Sequence, residues 1–91
     1  MTRIEAVRDW LGVTQMQARV LLALYDCERG MDRREIAAEI GATPGSVAVA
    51  LVSIREALNP KAVDRDGLNL SLTATGRAEV AAILLPVGEE G

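Results

Sequence analysis

Residues 34–54, REIAAEIGATPGSVAVALVSI, read as two short helices joined by a tight turn. Ile36 and Ile40 lie one helical turn apart, and Ala37 is the small residue where a crossing helix comes close. Gly41 is free to take positive φ at the turn, and Val47 starts a second buried stripe. That spacing is a helix-turn-helix, a pattern moderately specific for a fold that reads DNA.

Downstream, KAVDRDGLNLSL (61–72) holds two β-favouring runs around Asp66-Gly67, a dipeptide suited to a two-residue hairpin turn. The hairpin would form a wing. LTATGRAEVAAIL (72–84) then resumes a helical pattern, with Thr73 as its simplest N-cap. Upstream, Thr2 with Glu5, Thr14 with Gln17 and Asp32 with Glu35 each fit a capping box, so three helices announce their starts. The first, 3–11, sets Ile4, Val7 and Leu11 on one face with Trp10 nearby and stops at Gly12. The second, 15–28, buries Met16, Val20, Leu21, Leu24 and Cys27 and ends near Gly30. The third covers 33–40. The fourth opens on Thr43 as N-cap with Pro44 at the first helical position, and runs to about Leu58 or Asn59, ahead of Pro60. The expected fold is mainly α with a small β-hairpin, a winged helix-turn-helix. Residues 1–12 form an N-terminal helix packing on the domain or on a dimer partner, 13–86 the winged domain, and 87–91 a flexible tail.

Composition narrows the function. Ninety-one residues, 49% hydrophobic and 2% aromatic, suit one small aliphatic core. A single Cys27 allows no disulfide within the chain, and with no His a zinc site is not expected; the reading is a reducing, cytoplasmic setting without cofactor. No run approaches the ~18 apolar residues of a membrane span, and the first twelve residues mix charge with apolar positions, unlike a signal peptide. With no His, one Cys and no glycine-rich phosphate loop, no general-base or nucleophile constellation assembles, so the chain is not expected to be an enzyme.

The order LLALYDCERGMDRREIAAEIGATPGSVAVALVSIREAL (21–58), a V-D-R strand, a hairpin and LSLTATGRAEV (70–80) resembles the winged-helix core of bacterial transcription regulators. It resembles in particular MarR-like proteins, whose wings commonly close with an L-T-x-x-G-R-like segment. The resemblance covers 13–84. VRDWLGVTQMQARVLLAL (7–24) is also similar to the start of response-regulator-type winged output domains, with their T-x-x-x-A-R-x-L-like helix. Either resemblance implies sequence-directed binding to double-stranded DNA. A MarR-like protein would be a dimer with extra helices at both ends, for which this chain offers only the first helix and residues 77–85.

The helix that would read DNA carries an unusual face. If Val47, Ala50, Leu51, Ile54 and Leu58 are its buried stripe, Gly45, Val49, Val52 and Glu56 turn outward, with Ser46, Ala48 and Ser53 beside them. That face has no Arg, Lys, Asn or Gln, the side chains whose bidentate base contacts give about 1–3 kcal/mol of discrimination each. Small apolar residues can meet thymine methyls, and Ser46 can bond a phosphate or a base. The same face would equally suit a protein partner.

Net charge is −3, and with Glu89 and Glu90 of the tail set aside ten basic groups face eleven acidic ones. DNA affinity would then rest on clustering. Arg33 and Arg34 open the third helix, whose N-terminal N–H groups suit a phosphate; the plain alternative is a solvated helix start with Asp32 and Glu35 as partners. Thr43, Gly45, Ser46, Val49, Ser53 and Arg55 line or flank the recognition helix, and Lys61 and Arg65 lie on the wing. Arg65 at the wing tip is placed for a minor groove, although Asp64 and Asp66 flank it. Arg77, after the wing, either contacts DNA, neutralises Glu79 or caps a turn. Cys27 reads as a small core residue, and Trp10 as a core or dimer-interface anchor.

Two functions follow. The first is a sequence-specific DNA-binding regulator, as a homodimer or beside RNA polymerase or a second regulator. The second is a winged-helix module for protein interaction or dimerisation through Ala48, Val49 and Val52.

Overall fold

The computed structural model describes residues 2–58 and 61–90, with backbone only for 86–90. Its elements follow the order α1 (Arg3–Leu11), α2 (Gln15–Asp26), α3 (Arg33–Ile40), α4 (Pro44–Ala57), β1 (Val63–Asp66), β2 (Asn69–Leu72) and α5 (Ala74–Glu90). All three capping boxes form. At α1, α2 and α3 the N-cap side chain accepts from the backbone N–H three residues on, and that residue's side chain accepts from the N-cap N–H. Two of the four orphan donors at each start are thereby satisfied, and losing such a cap typically costs about 1 kcal/mol. α4 starts on Thr43, which accepts from the Ser46 N–H at 3.2 Å, with Pro44 where no N–H is needed.

α2 is the helix around which the rest packs. Its fully buried Val20, Leu21 and Leu24 meet Val7 of α1, Ile36 of α3, Val47 and Ile54 of α4 and Val80 of α5 in one core cluster. The expected stripe of α4 is buried throughout, from Val47 through Ala50, Leu51 and Ile54 to Leu58. α4 ends at Ala57 with Leu58 as its cap, at the nearer of the two expected ends; the other, Asn59, and Pro60 lie outside the described residues. Two core placements are not met, and for Trp10 only the core alternative of its two readings falls away. Met16, in the first turn of α2, lies ahead of the packed stripe and is exposed, while Ala18, Leu22 and Ala23 take core positions. Trp10 is 76% exposed and is no core residue: the packed patch of α1 is Ala6 and Val7, flanked by Ile4 and Leu11. Cys27 is half-buried, its thiol donating to the Gly30 carbonyl at 3.5 Å.

α3 and α4 meet at a bend of 100°. Gly41 makes the turn in the left-handed region (φ 70), and the Ala42 N–H caps the Ala37 carbonyl at 2.8 Å.

The wing pairs Val63 with Leu72, Asp64 with Ser71, Arg65 with Leu70 and Asp66 with Asn69, antiparallel. Its turn is therefore Gly67-Leu68, one residue later than the expected Asp66-Gly67. Gly67 takes φ 62 at the first central position and Leu68 keeps a negative φ, as a II′ turn requires. This register sets Val63 opposite the buried Leu72, where the earlier turn would set Lys61 there. Met31 adds a short third rung unforeseen in the sequence, exchanging both backbone hydrogen bonds with Leu70 at 2.8 Å each.

Thr73 closes the wing and caps α5 as expected. Its N–H donates to the Ala62 carbonyl at 2.9 Å, its hydroxyl to the Lys61 carbonyl at 2.5 Å, and it accepts from the Gly76 N–H at 3.2 Å. Gly76 rests directly on the chain there: a Cβ would lie 2.2 Å from the Ala62 carbonyl oxygen. α5 continues to Glu90, past the helical pattern that ends at residue 84 and into residues 87–90, which composition assigns to a tail. Once capped, a helix extends at the cost of one residue per hydrogen bond gained.

Candidate nucleic-acid interface

Asp32 and Glu35 spend their carboxylates on backbone: Asp32 accepts from the Glu35 N–H at 2.8 Å and Glu35 from the Asp32 N–H at 3.2 Å. Arg33 and Arg34, the first two residues of α3, are thus exposed without the local partners a solvated helix start would give them. Among the described residues the ion pairs are Arg3–Asp26 and Arg8–Asp9, both away from this end of the molecule.

α4 presents the face the helical period predicts. Val49 is 69% and Val52 59% exposed; Gly45, Ser46 and Glu56 are exposed, and Ala48 and Ser53 half-buried. The Thr43 hydroxyl donates to Ser46 Oγ at 2.9 Å, so the Ser46 hydroxyl keeps its own proton to donate outward. Arg55 is exposed one turn beyond Val52.

On the wing, Arg65 is folded along the hairpin, its Nε donating to the Gly67 carbonyl at 2.9 Å. Asp64 accepts from the Arg65 backbone N–H at 2.9 Å and makes no ion pair with its guanidinium. Because the turn falls one residue later than expected, the apex side chain is Leu68, 68% exposed. Sequence reading missed it; the available signal was a lone large apolar residue directly after a turn glycine.

These three elements enclose a cleft of about 590 Å³ lined by Arg33 and Arg34 of α3, Gly45, Ala48, Val52 and Arg55 of α4, and Arg65 and Leu68 of the wing. Four arginines line it, and the single acidic residue in its lining is Asp32, already bonded to backbone. The cleft is therefore locally cationic although the chain is net anionic. Of the expected contact residues it gathers Arg33, Arg34, Gly45, Arg55 and Arg65. Thr43, Ser46, Val49 and Ser53 stand beside it on α4, while Lys61 is outside its lining.

Arg77 belongs elsewhere. It donates through Nη1 to the Tyr25 carbonyl at 2.8 Å and through Nη2 to the Cys27 carbonyl at 3.4 Å, with its guanidinium 6.0 Å from the Tyr25 ring centre. It satisfies carbonyls at the C-terminus of α2, where a cation is also favoured by the helix dipole, and so takes the capping role of its three readings. Among the described residues no group of three or more His, Cys, Asp or Glu could hold a metal ion.

No protein-family profile and no curated protein sequence matches the chain. Solved structures do. The Staphylococcus aureus MepR–DNA complex superposes with a TM-score of 0.73 at 22% identity, covering 97% of this chain and 75% of MepR. The fold is a winged helix. The Mycobacterium tuberculosis MarR family protein Rv2887 superposes with a TM-score of 0.66 at 25% identity, covering 97% of this chain and 66% of its own. The chain spans about two thirds to three quarters of the length of these structures, and the match takes in α1 and α5 as well as the winged core.

Proposed function

We propose that this chain is a sequence-specific DNA-binding transcription regulator, with α4 in the major groove and the wing on the adjoining backbone or minor groove. The observation that carries it is the cationic cleft between α3, α4 and the wing, in a fold that MepR presents in complex with DNA. Arg33, Arg34 and Arg55 supply phosphate contacts and Arg65 a wing contact; Thr43, Gly45, Ser46, Val49 and Ser53 supply the approach to the groove floor. Self-association is assigned to α1 and α5, whose outer surface includes the exposed Trp10 and Leu85. Use of the α4 face for protein docking has weaker support, since its apolar residues are rimmed by arginine.

The test is selection of the purified protein against random duplexes, with a salt titration on what is enriched. An enriched sequence whose affinity falls steeply with salt supports the proposal, and a palindrome reports a dimer. A folded sample that enriches nothing refutes it.

A further inference from the structure

We infer that α4 recognises its site through the C5-methyl groups of thymines in the major groove, in place of hydrogen bonds to base edges. The inference rests on the DNA-binding proposal and names what that interface reads.

From Gly45 to Ser53 the outward face of α4 carries no long side chain able to hydrogen-bond a base; the long polar ones, Arg55 and Glu56, stand in its last turn. Its two prominent side chains are Val49 and Val52, 69% and 59% exposed, neighbours on one face three residues apart. Three residues of helix rise about 4.5 Å, close to the ~3.4 Å step between successive base pairs, so the two valines can meet methyls on the same or adjacent pairs. Beside them Gly45 has no atom within 4 Å of its Cβ position, and Ala48 is small, so the backbone of α4 can come close to the groove floor. Thymine is the base that shows an apolar group in the major groove. An apolar face would serve a protein partner as well, but this one is bordered by Arg33, Arg34, Arg55 and Arg65, whose charges ask for a polyanion around an apolar centre. A thymine-rich major groove between phosphate rails has that composition.

Two random-duplex libraries, identical except that deoxyuridine replaces thymidine in one, test the inference, because the change deletes the methyl and keeps Watson–Crick pairing. From the thymidine library an enriched site is expected whose affinity drops about fourfold for each methyl lost opposite α4. The double variant Val49→Ala, Val52→Ala should bind that site more weakly and lose its sensitivity to the replacement; both residues are exposed, so the fold is kept. Unchanged affinity of the wild-type protein for the deoxyuridine duplex overturns methyl reading and leaves DNA binding standing. Absence of salt-sensitive binding to either library by folded protein overturns both.

Discussion

Replacing Arg33, Arg34 and Arg55 together by Gln tests whether the cleft neutralises phosphates. None of the three makes an ion pair among the described residues, and all are exposed, so the substitution should alter stability by no more than about 0.5 kcal/mol. Each phosphate contact contributes about 0.9 to the slope of log affinity against log salt on B-form DNA. Losing three should flatten that slope by about 2.7. Over a fourfold rise in salt, wild-type protein should then lose about 40-fold more affinity than the variant. Fluorescence anisotropy of a labelled duplex across a salt series measures this directly. The control is Arg19→Gln, which removes an exposed charge from α2 on a surface shared with Thr2 and Ile4, outside the cleft lining. An unchanged slope in the triple variant would refute the assignment, as would an equal flattening per charge from Arg19→Gln, which would mean that overall charge governs binding.

Gly76→Ala should lower stability by about 2–3 kcal/mol in urea unfolding, because its Cβ meets the Ala62 backbone and outweighs the gain in helix propensity. Gly45→Ala, also helical but with open space at its Cβ, should instead stabilise by about 0.4–1 kcal/mol. Arg77→Ala should cost about 1.5–3 kcal/mol through the two carbonyls it leaves without a cationic donor, and leave the salt slope of DNA binding unchanged. The Thr2 hydroxyl, followed by its backbone N–H, holds the Glu5 carboxyl below the ordinary glutamate range. That contribution is present above the unfolded pKa and lost as pH falls through the folded one, so Thr2→Ala should narrow the stability difference between neutral and strongly acidic solution. Thermal melts of both proteins across pH check the sign.

What was legible in the sequence was local. Each capping box lies within four residues, so Thr2, Thr14 and Asp32 mark their helices without knowledge of anything distant. The stripe from Val47 to Leu58 was legible because periodicity alone separates the two faces of α4. The features that escaped depend on partners far along the chain. Met31 is an ordinary residue until Leu70 pairs with it, and Arg77 cannot be told from a DNA contact until α5 brings it under the carbonyls of Tyr25 and Cys27. The wing turn was misplaced by one residue because Asp66-Gly67 and Gly67-Leu68 are both acceptable turns locally. The pairing of Val63 with Leu72 decides between them. The arginine cleft was half legible: the sequence named its charges, but bringing them around one cleft needed the wing tied to Met31, just ahead of α3.

The two hydrogen bonds between Met31 and Leu70 lie one residue before the cap of α3 and two residues after the tip of the wing. They tie the second strand of the wing, close to its tip, to the start of the helix that carries Arg33 and Arg34, so the two jaws of the cleft share a hydrogen-bonded joint. If a duplex sits between the jaws as proposed, widening them would break a paired rung, and accommodation would fall to the nucleic acid. The compliance of base steps that touch no side chain would then enter the choice of site, and a flexible pyrimidine–purine step beneath the wing would be favoured over a stiff one.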